Sequence, residues 1–238
     1  MAKVPENIRG KAPAPASSGG VEAFLDAVAN APVPHSGGRG RLVFALDATM
    51  SRQPTWDIAQ GVQARMFETA SALGGLDVQL VYFRGFMECR ASRFIADGAG
   101  LAGLMGKIDV RGGQTQIAKV LRHVLGETKK AKVGALVYVG DAMEEDADEL
   151  CQLAGELGLL GVKAFLFHEG HDADAGSTFR EIARLTGGAY AAFDRSAPSR
   201  LADLLGAAAA YAAGGRAALE EQARRGGEAA RALLTQMK

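Results

Sequence analysis

The sequence has few cysteines, no net charge and no long apolar run, and each of these absences excludes a class of protein. Only Cys89 and Cys151 are cysteines, and they lack CxxC spacing, so we expect two reduced thiols rather than a disulfide framework or a zinc site. The 27 basic and 27 acidic residues balance, which argues against a basic surface that binds nucleic acid and against a polybasic surface that binds membranes. No segment approaches about 18 consecutive apolar residues, the length that crosses a membrane. We therefore expect a soluble cytoplasmic protein whose partner is neither a nucleic acid nor a membrane.

Composition divides the chain into a core-forming region and two flanking segments. Residues 1–39 begin with a stretch rich in Pro, Ala, Ser and Gly, so they predict a flexible tail with a short helix over about residues 21–30 and no export signal. From residue 40 to 212, short apolar runs alternate with segments of helical period. Residues 213–238 are rich in Ala and Arg and predict a helical extension that is mainly solvated. We therefore assign one domain to residues 40–212 and expect the segment from about residue 39 to residue 214 to fold alone.

The alternation of apolar runs and helical segments predicts the fold. "RLVFALD" and "ALVYVGD" are typical of central strands, whereas "LDVQLVYFRG" and "FMECRASRF" predict two strands joined by a tight turn, the second an antiparallel edge strand. Strands separated by helices need crossover connections, which produce a parallel sheet covered on both faces. The sequence therefore predicts an α/β protein with a doubly wound, mainly parallel, Rossmann-like sheet. Its later helices are expected near residues 99–108, 115–130, 146–157 and 179–185 and from about residue 199.

Oxygen-bearing side chains follow the two central strands at the point where each strand ends. Asp47 and Asp141 come directly after these strands, and the binding crevice of such a sheet lies at the carboxyl ends of its strands. Thr49 and Ser51 follow at alternate positions, so the three side chains point the same way in an extended loop. Thr115 comes after two glycines at the predicted start of a helix. These hard oxygen donors suit Mg²⁺ or Mn²⁺, so we expect one divalent ion at this edge.

These residues resemble the metal-ion-dependent adhesion site of von Willebrand factor type A domains. In that family Asp-x-Ser-x-Ser follows the first strand, a Thr follows a Gly-rich turn, and an Asp follows the fourth strand. Asp47, Thr49 and Ser51 are similar to the first part, Thr115 in "GGQT" to the second and Asp141 in "VYVGD" to the third, with Thr49 in place of the usual Ser. The resemblance implies that hydroxyls ligate the ion, that an aspartate acts through water, and that an Asp or Glu carboxylate of a partner protein completes the shell.

The resemblance also bears on the cellular role of the protein. Intracellular members of bacterial type are similar to adaptors or subunits that work in larger assemblies such as AAA+ ATPase systems. We therefore expect a binding module with no catalytic and no cofactor-binding residues. The competing interpretation is a metal-independent structural or regulatory interaction protein that uses its C-terminal helix.

Enzyme functions are less well supported by the sequence. A phosphotransferase of the haloacid dehalogenase type also has an Asp after its first strand, but it needs a second Asp two positions later, where this chain has Thr49. The glycines form neither a dinucleotide fingerprint nor a Walker loop, and no nucleophile elbow is present. The sequence therefore favours a binding function over a catalytic one.

Two further polar clusters have roles that the sequence leaves open. The carboxylates in "DAMEEDADE" are expected at a helix N-terminus, where the helix dipole favours them, with Glu144 as the one that would add a metal ligand. "HEGHDAD", residues 168–174, follows another strand and lacks HExxH spacing. It predicts a solvated loop beside the site, with a second metal or a partner contact as the alternative.

Overall fold

A computed structural model of the chain describes residues 6–7, 38–49, 61–62, 64–71, 73, 75–194 and 196–237. The strands are β1 (Glu6–Asn7), β2 (Gly40–Asp47), β3 (Leu76–Arg84), β4 (Glu88–Ile95), β5 (Ala135–Gly140), β6 (Lys163–Glu169) and β7 (Ala189–Phe193). The helices are α1 (Ala64–Ser71), α2 (Gly98–Met105), α3 (Ile117–Lys130), α4 (Ala147–Leu159), α5 (Ala173–Thr186), α6 (Pro198–Arg224) and α7 (Glu228–Leu234). Within these described ranges, none of the helices is both long and apolar enough to cross a bilayer.

The sheet has the strand order β1-β4-β3-β2-β5-β6-β7, with β2 at its centre. β2 pairs in parallel with β3 on one side and β5 on the other, and β6 and β7 continue the parallel order. β4 pairs antiparallel with β3, and β1 pairs antiparallel with β4. The predicted doubly wound, mainly parallel α/β sheet with a short antiparallel strand towards one edge is therefore confirmed.

The core lies on both faces of this sheet, because successive side chains of a strand point to opposite faces. Leu42 and Phe44 of β2 belong to an apolar cluster that includes residues of α1, α2, α6 and α7. Val43 and Ala45 belong to a second cluster, built with α3, α4 and α5. The central strands must therefore be apolar on both faces over their covered length, Leu42–Leu46 in β2 and Ala135–Val139 in β5, which explains their unbroken hydrophobic runs.

Helix α5 begins earlier than the sequence predicts, at residue 173 rather than near residue 179. The cause is a cap, since the carboxylate of Asp172 accepts a hydrogen bond from the backbone N of Ala175 at 2.7 Å. The predicted solvated loop over residues 168–174 is accordingly wrong in its first part. His168 and Glu169 are buried at the end of β6, while residues 171–174 are exposed.

The N-terminal segment contributes a strand that the sequence did not predict. Glu6 and Asn7 of β1 pair with Ala91 and Arg90 of β4. An edge strand offers unpaired N–H and C=O groups, and backbone pairing needs no apolar side chains, so composition does not reveal it. The helix predicted over residues 21–30 lies outside the described residues.

The C-terminal extension packs on the domain. Helix α6 kinks at Gly215, whose φ of 67° lies in the left-handed region that favours glycine, and α7 then packs back on α6. Apolar side chains of the extension are buried in the same cluster as those of β2 and α1: Leu219, Ala223, Ala229, Ala230, Leu233 and Met237. The extension is therefore a packed helical layer rather than the solvated helix that its composition predicted. The domain boundary near residue 213 stays a prediction.

The extension also covers the outer edge of the sheet. The side-chain amide of Gln236 accepts a hydrogen bond from the backbone N of Tyr190 at 3.0 Å and donates one to its carbonyl oxygen at 2.9 Å. Gln236 thus pairs with β7 in the way that a further strand would. These two hydrogen bonds satisfy backbone groups at the edge of the sheet that would otherwise be open to pairing with another chain.

Both cysteines are free thiols, as the sequence predicts. Cys89 is buried on β4, and burial raises the pKa of its thiol to about 12. Cys151 is half-buried on α4, and burial raises its pKa as well. Both side chains therefore stay protonated at neutral pH and act as small packing residues.

Candidate metal centre

Two aspartates lie at the carboxyl ends of neighbouring central strands. The parallel register that pairs Leu46 of β2 with Val139 of β5 brings Asp47 and Asp141 to the same edge of the sheet. Asp47 is 2% exposed, and its Oδ1 accepts a hydrogen bond from the backbone N of Thr49 at 2.8 Å. This bond from two residues on is an Asx-type turn, and it holds the loop after β2 in place.

The Gly-rich loop before α3, residues 111–116, is hydrogen-bonded to the loop that follows Asp47 and to the loop that follows Asp141. The backbone N of Arg111 donates to the carbonyl oxygen of Ala48 at 3.0 Å. Thr115 donates its backbone N–H to the Glu144 carboxylate at 2.9 Å, and Glu144 donates its backbone N–H to Thr115 Oγ1 at 3.0 Å. The structure thereby brings to one edge the predicted residues Asp47, Thr49, Thr115 and Asp141. The remaining predicted ligand, Ser51, lies outside the described residues.

The donors at this edge fit a divalent cation. Thr49 and Thr115 are buried, and, in the part of the chain that the structure describes, Oδ1 of Asp141 is buried without a hydrogen-bond partner. A buried carboxylate oxygen without a donor costs about 1–3 kcal/mol, which a cation beside it offsets. Two carboxylates with two hydroxyls are the hard oxygen donors of a Mg²⁺-type site. No three His, Cys, Asp or Glu side chains among the described residues form a metal cluster, so the hydroxyls are essential to this set.

Gly113 lets the Gly-rich loop press against the turn between β3 and β4. A Cβ atom at this position would lie 2.1 Å from the carbonyl oxygen of Gly85, a distance that real Cβ contacts do not reach. Only glycine therefore allows this approach, which sets the position of Thr115 two residues later.

We expect Gly113→Ala to weaken divalent-ion binding about tenfold or more and to lower the free energy of unfolding by about 1–3 kcal/mol. The added methyl group must push the loop away from Gly85 and carry Thr115 with it. Gly112→Ala is the matched control, because a Cβ there meets no atom within 4 Å. Calorimetric Mg²⁺ titration and urea denaturation measure both effects. Equal metal affinity in the two alanine variants would show that the position of this loop does not matter.

In the acidic run after Asp141, Asp146 caps helix α4, as the dipole argument predicts for that residue. Oδ1 of Asp146 accepts hydrogen bonds from the backbone N atoms of Asp148 at 2.8 Å and Glu149 at 3.0 Å. Asp148 and Glu149 themselves lie in the first turn of the helix. These carboxylates are therefore structural and not further donors to the metal centre.

Glu145 caps a different helix, a role that reasoning from the sequence missed. Its carboxylate accepts hydrogen bonds from the backbone N atoms of Ile117 and Ala118 at the start of α3, the latter at 2.9 Å. Gln116, the N-cap residue, makes no capping bond with its side chain, so these amides depend on Glu145. Burial raises the pKa of the Glu145 carboxyl, and the two amides offset part of that rise. The partners are 27 residues apart, so no local pattern shows the contact.

His168 connects β6 to the loop that carries Asp141. Its Nε2 donates to the carbonyl oxygen of Asp141 at 3.3 Å, so its Nδ1 accepts from the hydroxyl of Tyr190 at 2.9 Å. The ring packs edge-on against Phe179 with 5.3 Å between ring centroids. Burial lowers the pKa of His168, and in the neutral ring that this favours, Nε2 donates while Nδ1 accepts. The sequence placed His168 in a polar stretch near the site, but only the fold shows what it contacts.

The arrangement of strands and helices matches solved von Willebrand factor type A domains. The SpRpn10 VWA domain aligns with a TM-score of 0.55 over 68% of this chain and 95% of its own, at 12% identity. Proximal thread matrix protein 1 from the mussel byssus was solved with zinc in its MIDAS motif, the abbreviation for the metal-ion-dependent adhesion site. It aligns with a TM-score of 0.57 over 73% of this chain and 46% of its own, at 16% identity. The pilus adhesin SpaC from Lactobacillus rhamnosus GG aligns at 0.52, over 72% of this chain and 31% of its own, at 10% identity.

Because the sequence identities are low, these structural similarities establish the fold alone. The chain spans less than half of the mussel protein and of the adhesin. The sequence matches no protein-family model and no curated protein.

Proposed function

Because the chain has the von Willebrand factor type A fold, we propose that it is a divalent-metal-dependent protein-binding module that captures an acidic residue of a partner. The observation that carries the proposal is the buried Oδ1 of Asp141, which has no hydrogen-bond partner among the described residues, at the edge where Asp47, Thr49 and Thr115 also lie. Ser51, two residues after Thr49, is proposed as a further donor from the sequence alone. The ion is proposed to be Mg²⁺ or Mn²⁺.

The proposed ligands formally balance the charge of a divalent ion without exceeding it, so the ion can still attract a further anionic ligand. Thr49 and Thr115 are neutral donors, so the proposed ligands carry negative charge only at Asp47 and Asp141. When bound, the ion would supply a Lewis-acidic position that accepts a carboxylate oxygen in place of water. The Asp47 carboxylate is held by the N–H of Thr49, and Thr115 is held by Glu144, so both are positioned before a partner arrives. Such preorganisation lowers the entropy lost on binding.

We infer a binding rather than a catalytic role from the groups around the site. His168 is the imidazole that contacts the Asp141 loop, and both of its ring nitrogens are engaged, with the Tyr190 hydroxyl and the Asp141 carbonyl. It is therefore not placed to take a proton from a nucleophile or a substrate. An adaptor role in a larger assembly, such as an AAA+ ATPase system, is proposed from the family resemblance alone.

Binding through the C-terminal helix without metal is the less favoured function. The apolar side chains of the extension, including Leu219 and Leu233, are buried in the domain core. The face of α7 that a partner helix would need is therefore already occupied.

The proposed function is tested by partner capture on the immobilised chain of residues 1–238. We expect a partner that is retained in Mg²⁺, released by EDTA and retained again when Mn²⁺ is added. Thr115→Ala should lose the partner because it removes a donor hydroxyl, whereas Thr115→Ser keeps the hydroxyl and should retain it. A partner held equally well in EDTA and by Thr115→Ala would refute the proposal and favour the C-terminal helix.

A further inference from the structure

Two large apolar side chains protrude from the turn between β3 and β4. Phe86 is 72% exposed and Met87 is 76% exposed, the highest values among the large hydrophobic residues of the described chain. We call the turn, residues 85–87, the hairpin tip. Contiguous exposed apolar surface, unlike apolar residues scattered singly, marks protein or membrane interaction sites.

The hairpin tip is fixed to the loop that carries Thr115. The carbonyl oxygen of Gly85 accepts hydrogen bonds from the backbone N of Gln114 at 3.2 Å and from Nε2 of Gln116 at 3.2 Å. Gln114 and Gln116 flank Thr115 directly. A partner that reaches the proposed metal centre therefore meets the hairpin tip at a fixed place beside it.

Cationic side chains surround the hairpin tip. Arg84 and Arg90 share the carboxylate of Glu88, with N–O distances of 2.9 and 2.8 Å, and the hydrogen bond from Arg84 lowers the pKa of that carboxyl. Lys119 donates to a carbonyl oxygen of the tip at 3.2 Å, and Arg111 is exposed on the adjoining loop. Within the part of the chain that the structure describes, the charges on the strands and loop next to the tip include those of Arg84, Arg90, Arg111 and Lys119 against Glu88 and Asp109.

We propose that the hairpin tip is the apolar anchor of the same binding surface, and that the partner is an acidic protein segment with an apolar side chain close to its metal-binding carboxylate. The inference rests on the proposed function. The apolar side chain of the segment packs on Phe86 and Met87, and the surrounding cations attract its acidic residues. Phenylalanine and methionine are enriched at interface cores, where the removal of a single anchor changes the affinity most.

The probe is a displayed library of random peptides with one fixed Asp, selected on the full chain in Mg²⁺. We expect enriched peptides to carry an apolar residue within a few positions of the Asp. For the tightest synthetic peptide, Phe86→Ser and Met87→Ser should each raise Kd about tenfold or more, with unchanged Mg²⁺ affinity. Leu159→Ser is the matched control, because Leu159 is a 62% exposed apolar residue at the opposite end of the domain, where α4 ends.

The outcomes separate this inference from the function on which it rests. Peptides that need Mg²⁺ but bind both tip variants as tightly as the wild type overturn the anchor and leave the proposed function intact. A selection that yields no Mg²⁺-dependent peptide overturns both. Binding of the full chain to phosphatidylcholine–phosphatidylserine vesicles that Phe86→Ser abolishes would identify a membrane-inserting tip and overturn the inference in favour of a lipid surface.

Discussion

Asp141→Ala is expected to abolish the stabilisation of the protein by Mg²⁺ or Mn²⁺ while the metal-free protein stays at least as stable as the wild type. An ion at about one hundred times its Kd stabilises a folded protein by about 2.7 kcal/mol, and the variant should lose all of this. The substitution also removes the buried Oδ1 that has no hydrogen-bond partner among the described residues. The metal-free protein should therefore gain up to about 1 kcal/mol. Thermal unfolding with Mg²⁺ and with EDTA measures both effects.

Two other aspartates control this experiment. Asp146→Ala removes the cap of α4 in the same loop, so it should cost about 1 kcal/mol and leave the response to Mg²⁺ intact. Asp47→Ala should lose both the metal response and some metal-free stability, because the Asp47 carboxylate accepts the hydrogen bond from Thr49. Calorimetry that finds unchanged metal affinity in Asp47→Ala and Asp141→Ala would contradict the assignment.

Removal of residues 215–238 is expected to destabilise the domain by several kcal/mol. The deleted segment holds Leu219, Leu233 and Met237, which are buried in the cluster that covers one face of the sheet. Burial of each side chain of this size contributes about 1.5–3 kcal/mol, and the deletion leaves their neighbours exposed. Urea unfolding of the full and shortened chains measures the difference. The same measurement tests the prediction from composition that the segment from about residue 39 to residue 214 folds alone.

Point variants keep this prediction testable if the shortened chain does not fold. Leu233→Ala should cost about 2–5 kcal/mol, the usual range for a buried leucine. Thr235→Ala changes an exposed residue of the same segment and should stay within about 0.5 kcal/mol of the wild type. Equal stability of Leu233→Ala and the wild type would show that the extension does not belong to the core.

The features that the sequence predicted well are those that follow from local pattern and chain connectivity. Strand β2 is apolar from Leu42 to Leu46 and β5 from Ala135 to Val139 because helices cover both faces, and this leaves unbroken hydrophobic runs. The place of Asp47 and Asp141 at one edge follows from the parallel connection of those strands. That both residues ligate an ion, together with Ser51, stays a prediction.

The features that the sequence did not reveal depend on contacts between distant segments. A carboxylate next to a predicted helix is naturally assigned to that helix, yet Glu145 caps α3 instead, 27 residues earlier. The two hydrogen bonds between Thr115 and Glu144 join segments 29 residues apart. The C-terminal extension is rich in alanine, and many of its buried side chains are alanines, so the sequence shows only a weak apolar face at helical spacing. The packing of the extension on the domain was therefore not evident from the spacing of its apolar residues.

The most direct test of the account is anomalous X-ray scattering from crystals of the full chain grown with Mn²⁺. We expect one strong manganese peak at the carboxyl edge of the sheet, contacted by the hydroxyls of Thr49 and Thr115 and lying within one water molecule of Asp47 and Asp141. The peak should vanish in crystals of Asp141→Ala. A manganese peak elsewhere on the molecule, or none in wild-type crystals at saturating Mn²⁺, would contradict the account.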